Sequence, residues 1–182
     1  RILTPDFAKQ IKRIFWCGNY GDSIASNNFL ECLEFIRHSG VGGLTVVTNG
    51  SAQSPAWWTK IGNILDRDTD RVDFSIDGLE DTNHLYRVNS NWEKIQGLFD
   101  LIAKKKHKCE IEWKYIVFEH NHHQVDEAQE IAKNIGIDIF RIQRTRKLSS
   151  KLDIKSYDNP DWFKKTKMEH EDALSPFCYT GD

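Results

Sequence analysis

Apolar and polar positions along the chain switch between a helical and a strand-like period, and the switches outline an alternating series of elements. Thr4-Pro5-Asp6 predicts a helix over residues 4–13, with Thr4 as N-cap, Pro5 at the first helical position and Phe7, Ile11 and Ile14 at helical spacing. Arg13-Ile-Phe-Trp-Cys17 reads as a strand that stops at Gly18-Asn-Tyr-Gly-Asp-Ser23. Asn27 to His38 predicts a helix with Phe29, Leu30, Leu33 and Ile36 on one face, ended by Ser39-Gly40. A buried strand follows from Gly43 to Val47, closed by Thr48-Asn49-Gly50, and Pro55 starts a helix carrying Trp57, Trp58, Ile61, Ile64 and Leu65. Trp57 and Trp58 are neighbours in sequence, so one helix face cannot hold both. Val72 to Ile76 is the third strand. Trp92 to Lys105 is a helix with Ile95, Leu98, Phe99 and Ile102 inward. Glu110 to Phe118 alternates as a strand with Ile111, Trp113, Tyr115 and Val117 on one face; Val125 to Ile135 is a helix closed by Gly136, and Ile137 to Ile142 is the last strand.

Each strand is preceded by a helix, at a repeat of about 25 to 35 residues that suits βα units. The expected fold is therefore α/β, a parallel sheet with right-handed crossovers. The pattern fits a closed barrel and an open doubly wound sheet equally. From residue 146 to 161 Lys, Ser, Asp and Asn dominate, so residues 146–182 read as a connector after the domain formed by residues 1–145, with Trp162 and Phe163 docking back.

Composition narrows the class. A chain of 182 residues with 39% hydrophobic and 12% aromatic residues can bury one substantial core. A net charge of −2, from 25 basic and 27 acidic residues, gives no electrostatic case for nucleic acid. No apolar run approaches a membrane span and no signal sequence is visible. Cys17, Cys32, Cys109 and Cys178 form no CxxC pair; Cys17 and Cys32 fall in predicted elements, where a reduced, buried thiol is usual. The expected compartment is cytoplasmic. The chain starts at Arg1 and ends after Phe-Cys-Tyr-Thr-Gly-Asp, which reads as a piece of a longer protein.

Candidate chemistry gathers where strands stop. In parallel α/β folds ligands bind beyond the carboxyl ends of strands. Residues 72–87 run from a strand into Ser75, Asp77 and Gly78, then a polar loop with Asn83, His84 and Arg87. Gly18-Asn-Tyr20-Gly21-Asp22-Ser23 and Thr48-Asn49-Gly50 close two other strands. Asp22 suits an ammonium and Arg87 a carboxylate, and the two together describe an amino-acid ligand. The plainer readings stand beside these: Asp-Gly is an ordinary turn and Ser or Asp an ordinary N-cap. No Walker A loop or GxGxxG is present. Glu119-His-Asn-His-His123 reads as a solvated loop before a helix, because no ligand spacing supports a metal, and Lys104-Lys-Lys-His-Lys108 as a solvated helix end.

Taken in order, residues 1–145 resemble the barrel of the radical S-adenosylmethionine (radical SAM) superfamily, in its SPASM/twitch or MoaA-like branch. The resemblance implies a partial (β/α)6 TIM-like barrel. Gly18-Asn19-Tyr20-Gly21-Asp22 stands where the family has a Gly-Gly-Glu-Pro-like turn that binds the methionine amino group, with Asp for Glu and Ser23 where Pro is usual. Thr48-Asn49-Gly50 matches a Thr-Asn-Gly strand end. Ser75-Ile76-Asp77-Gly78, with His84 and Arg87 after it, matches the next. By resemblance Ser75 meets the ribose or carboxylate side of SAM and Arg87 its carboxylate, Lys114 is the polar residue facing the site, and Gly136-Ile-Asp-Ile-Phe140 packs against adenine. Tyr20, Thr48, His84 and Lys114 are further pocket candidates beside Gly21, Asp22, Asn49, Ser75, Asp77 and Arg87. The implied cofactors are SAM and a 4Fe–4S cluster that cleaves it to a 5′-deoxyadenosyl radical, with an electron donor and a peptide or small-molecule substrate as partners. One departure is large: the cluster-binding CxxxCxxC is absent, and Cys17, Cys32 and Cys109 do not supply its spacing. The expectation is a radical SAM parent whose cluster loop lies upstream, this stretch alone being inactive. Pro176-Phe177-Cys178 resembles the start of an auxiliary-cluster region, which makes Cys178 a candidate ligand there. The alternative is a cluster-less α/β-barrel protein that binds a SAM-like or amino-acid ligand without radical chemistry.

Overall fold

The structure, a computed structural model, describes residues 3–18, 21–104, 107–145 and 154–157. Five strands form one sheet: β1 (Arg13–Trp16), β2 (Gly43–Thr48), β3 (Arg71–Ser75), β4 (Glu110–Ile116) and β5 (Ile139–Gln143). All four pairings are parallel and the spatial order is the chain order. Right-handed crossovers between strands laid down in sequence put every connecting helix on the same face. A doubly wound sheet needs a reversal of strand order, and none occurs among the described strands. The sheet is therefore a partial TIM-like barrel.

The helices that cover it are α2 (Phe29–His38), α3 (Pro55–Ile64), α5 (Trp92–Lys104) and α6 (Val125–Ile135). Their apolar residues meet Leu44, Val46, Val72, Phe74, Ile111, Trp113 and Tyr115 in one core. Alternation along a strand sends the other residues to the opposite face. Both tryptophans of α3 find apolar partners. Trp58 is buried against Phe74, while half-buried Trp57 bridges Trp58 and Phe29 of α2.

Four expectations change. The first helix, α1 (Pro5–Ala8), keeps the Thr4 cap but lasts four residues. The Ile11 carbonyl already accepts from Gly42 N–H, drawing the chain into the sheet. The last strand starts at Ile139, two residues later than its apolar run. Gly136 caps α6 in the left-handed region and Ile137 N–H still bonds the Ala132 carbonyl. Cys17 and Cys32 are exposed: one lies past the end of edge strand β1, the other on the outer face of α2. Among the described residues Cys109 is the buried thiol, its pKa pushed up to about 12 by burial and by the charges of Asp70 and Asp138. Finally, residues 83–86 form a short helix, α4 (Asn83–Tyr86), where a loop is expected. Among the connector residues, 154–157 return to the segment that follows β4: Ser156 bridges Phe118, Glu119 N–H bonds the Lys155 carbonyl, and Tyr157 stacks on His122 at 4.2 Å. Trp162 and Phe163 lie outside the described residues.

Candidate functional site

Two polar knots tie the carboxyl ends of β1 to β4. The first centres on Asp22, which N-caps the 3-10 turn Ser23–Ala25 through Oδ1 and the Ile24 N–H at 3.2 Å. Its Oδ2 accepts from the Thr48 hydroxyl at 2.6 Å and from Asn49 N–H at 2.9 Å. Thr48 also accepts from Gly50 N–H, and Asn49 Oδ1 from the backbone and hydroxyl of Ser51. The turn after β1 is thus fastened to the Thr-Asn-Gly turn after β2. Gly21, at φ 142°, stands beside Asp22 with open space where a Cβ would project.

The second knot centres on Asp77, which is fully buried. The β3 ladder stops at Ser75, and the Asp77 carboxylate continues it by accepting from Ile116 N–H on β4 at 2.6 Å. Its other oxygen holds Arg87 Nε at 2.5 Å. Burial pushes the Asp77 carboxyl above the ordinary carboxylate range, opposed by the Arg87 charge and the Ile116 N–H. Asn83 accepts from Asp77 N–H, and Asn121 Nδ2 donates to the Asp77 and Ile116 carbonyls. Asn121 also accepts from Phe118 N–H, and its carbonyl accepts the Tyr115 hydroxyl. Gly78 is required here. At φ 149° a Cβ would collide with the Thr82 hydroxyl and come within 2.7 Å of Asn83 N.

The predicted residues sort accordingly. Asp22, Thr48 and Asn49 are brought together, as are Asp77 and Arg87. Asp77 is too deep to touch a ligand; its part is to hold Arg87, whose side chain stays 27% exposed. Ser75 and Lys114 are register partners at the last rung of β3, half-buried on the face away from the helices. Lys114 Nζ lies 2.6 Å from Asp73. His84 is exposed on α4 and none of these bonds reaches it. Tyr20 and Cys178 lie outside the described residues. Asn83, named in the predicted loop, is buried here, and two buried contributors escape the sequence reading: Asn121 and Gln124, which accepts from Leu79 N–H and the Thr82 hydroxyl. Asn121 belongs to the stretch expected to be solvated, residues 119–123, and Gln124 directly follows it. Its histidines do resemble a surface loop, although His120 stacks on Phe118 and burial holds its pKa below the ordinary value.

The sheet face away from the helices is charged. Arg71 contacts Asp73, Glu110 and Glu112; Arg141 contacts Glu112; Lys114 contacts Asp73.

Comparison with solved structures places this architecture. SuiB of Streptococcus suis matches with a TM-score of 0.60 at 12% identity, over 90% of this chain and 36% of SuiB. SuiB bound to S-adenosylmethionine matches at 0.56 and 12%, over the same shares. TYW1 with a lysine-pyruvate adduct bound matches at 0.53 and 14%, over 89% of this chain and 51% of TYW1. The chain spans about a third of SuiB and about half of TYW1. No family model and no curated protein sequence matches it. At such identities the likeness is one of fold: the chain shares the α/β barrel architecture of SuiB and TYW1 over the part it spans.

Proposed function

We propose that this chain forms the SAM-binding part of a radical SAM enzyme barrel. What carries the reading is the pairing of Asp77 with Arg87. A buried carboxylate fixes a part-exposed guanidinium beside the ends of β3 and β4, on the fold of a protein solved with S-adenosylmethionine bound. The donor set fits the amino-acid end of SAM. Arg87 presents a planar fork suited to its carboxylate. Asp22 has about four acceptor sites on its two oxygens, and three donors occupy it, leaving room for an ammonium. Ser75 supplies a hydroxyl for the ribose or carboxylate side, and Gly21 lets the ligand approach the backbone. When bound, SAM supplies a sulfonium whose reductive cleavage releases a 5′-deoxyadenosyl group.

The iron–sulfur cluster that such cleavage needs does not fit the described residues. A cluster takes several thiolates close together. Here Cys17 and Cys32 are exposed on separate elements and Cys109 is buried; no group of three His, Cys, Asp or Glu able to hold a metal occurs among the described residues. The proposal therefore assigns cluster ligation to none of them. The same observation favours a second reading, a barrel that binds SAM or an amino-acid ligand with no radical chemistry.

Calorimetric titration of SAM into the 182-residue chain tests the binding claim. The claim requires saturable binding that Arg87→Lys weakens about tenfold or more, since charge-assisted hydrogen bonds contribute about 1.5–3 kcal/mol. Lysine keeps a cation beside Asp77 but loses the fork. Absence of binding, or equal affinity for both proteins, overturns it. Assay of 5′-deoxyadenosine from an anaerobically reconstituted full-length gene product separates the two readings: formation supports the radical enzyme, and SAM binding without it supports the second.

A further inference from the structure

On the charged sheet face, charges are sorted by depth and by height. Two carboxylates lie underneath: Glu112 is fully buried and the Asp73 side chain is 5% exposed, while the third, Glu110, is 41% exposed at the opposite, amino end of β4. The cations lie over them, with side chains 25% exposed at Lys114 and 12% at Arg141. Register fixes the height. Asp73 pairs with Glu112 in one rung, and Ser75, Lys114 and Arg141 make the rung nearer the strand ends. Residues in register on parallel strands project to the same face, about 4.8 Å apart per strand. A ligand entering from the strand ends thus meets a hydroxyl, an ammonium and a guanidinium in a row, and no carboxylate. Arg141 is engaged through Nε with Glu112, but its Nη1 is buried without a hydrogen-bond partner. A buried donor left unpaired is unfavourable, and an incoming acceptor would satisfy it.

We infer that Ser75, Lys114 and Arg141 form an anion subsite for a carboxylate or phosphate group of a second ligand, the substrate, below the place where Arg87 meets SAM. The inference rests on the strand ends being the ligand mouth of the barrel. It goes beyond the proposed function in naming the substrate class, a molecule with an anionic group directed into the barrel. Lys114 and Arg141 each rest on a carboxylate that Arg71 also contacts, so the subsite selects by donor geometry as well as by charge. The planar fork of Arg141 and the Ser75 hydroxyl favour an oxyanion over a halide.

Titration of inorganic phosphate and of malonate into the intact chain, with and without SAM, followed by backbone amide shifts, tests this. The expected result is saturable binding of at least one of the two, with shifts at Ser75, Lys114 and Arg141. Ser75→Ala and Arg141→Gln should each weaken it about tenfold or more, and Arg141→Gln should leave SAM affinity unchanged. Glu112 keeps Arg71 in the second variant, and Ser75→Ala removes no ion pair, so at least one folded variant reports. Binding of neither anion, or unchanged anion affinity in Ser75→Ala, overturns the subsite. Loss of SAM affinity in step with anion affinity in Arg141→Gln would also overturn it, because the anion would then be the carboxylate of SAM. Anion binding without SAM binding sinks the proposed function and leaves the subsite standing.

Discussion

Asn121 is the residue through which the junction of β3 and β4 can best be tested. It is fully buried and spends its amide on three backbone groups: the Asp77 carbonyl at 2.8 Å, the Ile116 carbonyl at 3.0 Å and Phe118 N–H at 2.7 Å. Asn121→Ala strips all three. The Phe118 N–H is left buried without an acceptor, worth about 2 kcal/mol, and two carbonyls each lose a net hydrogen bond of about 1 kcal/mol. The whole comes to about 4 kcal/mol, a large part of a typical domain stability of about 5–15 kcal/mol. For a chain of this size that corresponds to a fall of about 8–16 °C in melting temperature. Thermal and urea unfolding, each followed by circular dichroism, would measure it, with the urea slope unchanged if only stability is altered. Asn121→Asp should not rescue, because it restores the acceptor for Phe118 but neither donor, and adds a carboxylate near Asp77. A loss below about 1 kcal/mol for Asn121→Ala would refute the reasoning, showing that water or relaxation satisfies these groups.

Two other outcomes follow from the same junction. Gly78→Ala puts a Cβ into Asn83 and Thr82 at a backbone angle that disfavours it, so it should cost about 3 kcal/mol or more in urea unfolding; Gly136→Ala, also at positive φ but with open space around it, should cost less. His120 has a folded pKa held below 6.5 by burial and, secondarily, by His123. As pH falls through 6.5 the unfolded chain therefore takes up the proton first, and stability drops until the folded pKa is passed. Urea midpoints between about pH 8 and about pH 5 should fall less in His120→Gln than in the parent protein.

The strands were legible because each is a short β-rich run, bounded by Gly, Asn or Asp. The five-strand parallel order follows from the regular βα spacing together with crossover handedness. What lay outside the pattern has physical causes. Asn83-His-Leu-Tyr86 is too short for a helical period to show. Asn121 and Gln124 look like surface residues because their partners, Asp77 and Leu79, are more than forty positions away in sequence. Alternation separates the faces of β3 and β4, yet the pairing of Arg71, Asp73, Glu112 and Arg141 depends on strand register, which a single strand does not encode. Of the candidate site, Asp22, Thr48, Asn49, Ser75, Asp77, Arg87 and Lys114 could be named from sequence. The division between Asp77 as the holder and Arg87 as the presented group could not, because it is set by burial.

The most direct test of the account compares SAM with its decarboxylated analogue, titrated into the intact chain. If Arg87, held by Asp77, receives the carboxylate, SAM binds and the analogue binds about tenfold or more weakly, the same loss that Arg87→Lys produces with SAM itself. Equal affinity for the two molecules, or no binding of either, would contradict the assignment of Arg87 and with it the claim that these strand ends hold the amino-acid end of SAM.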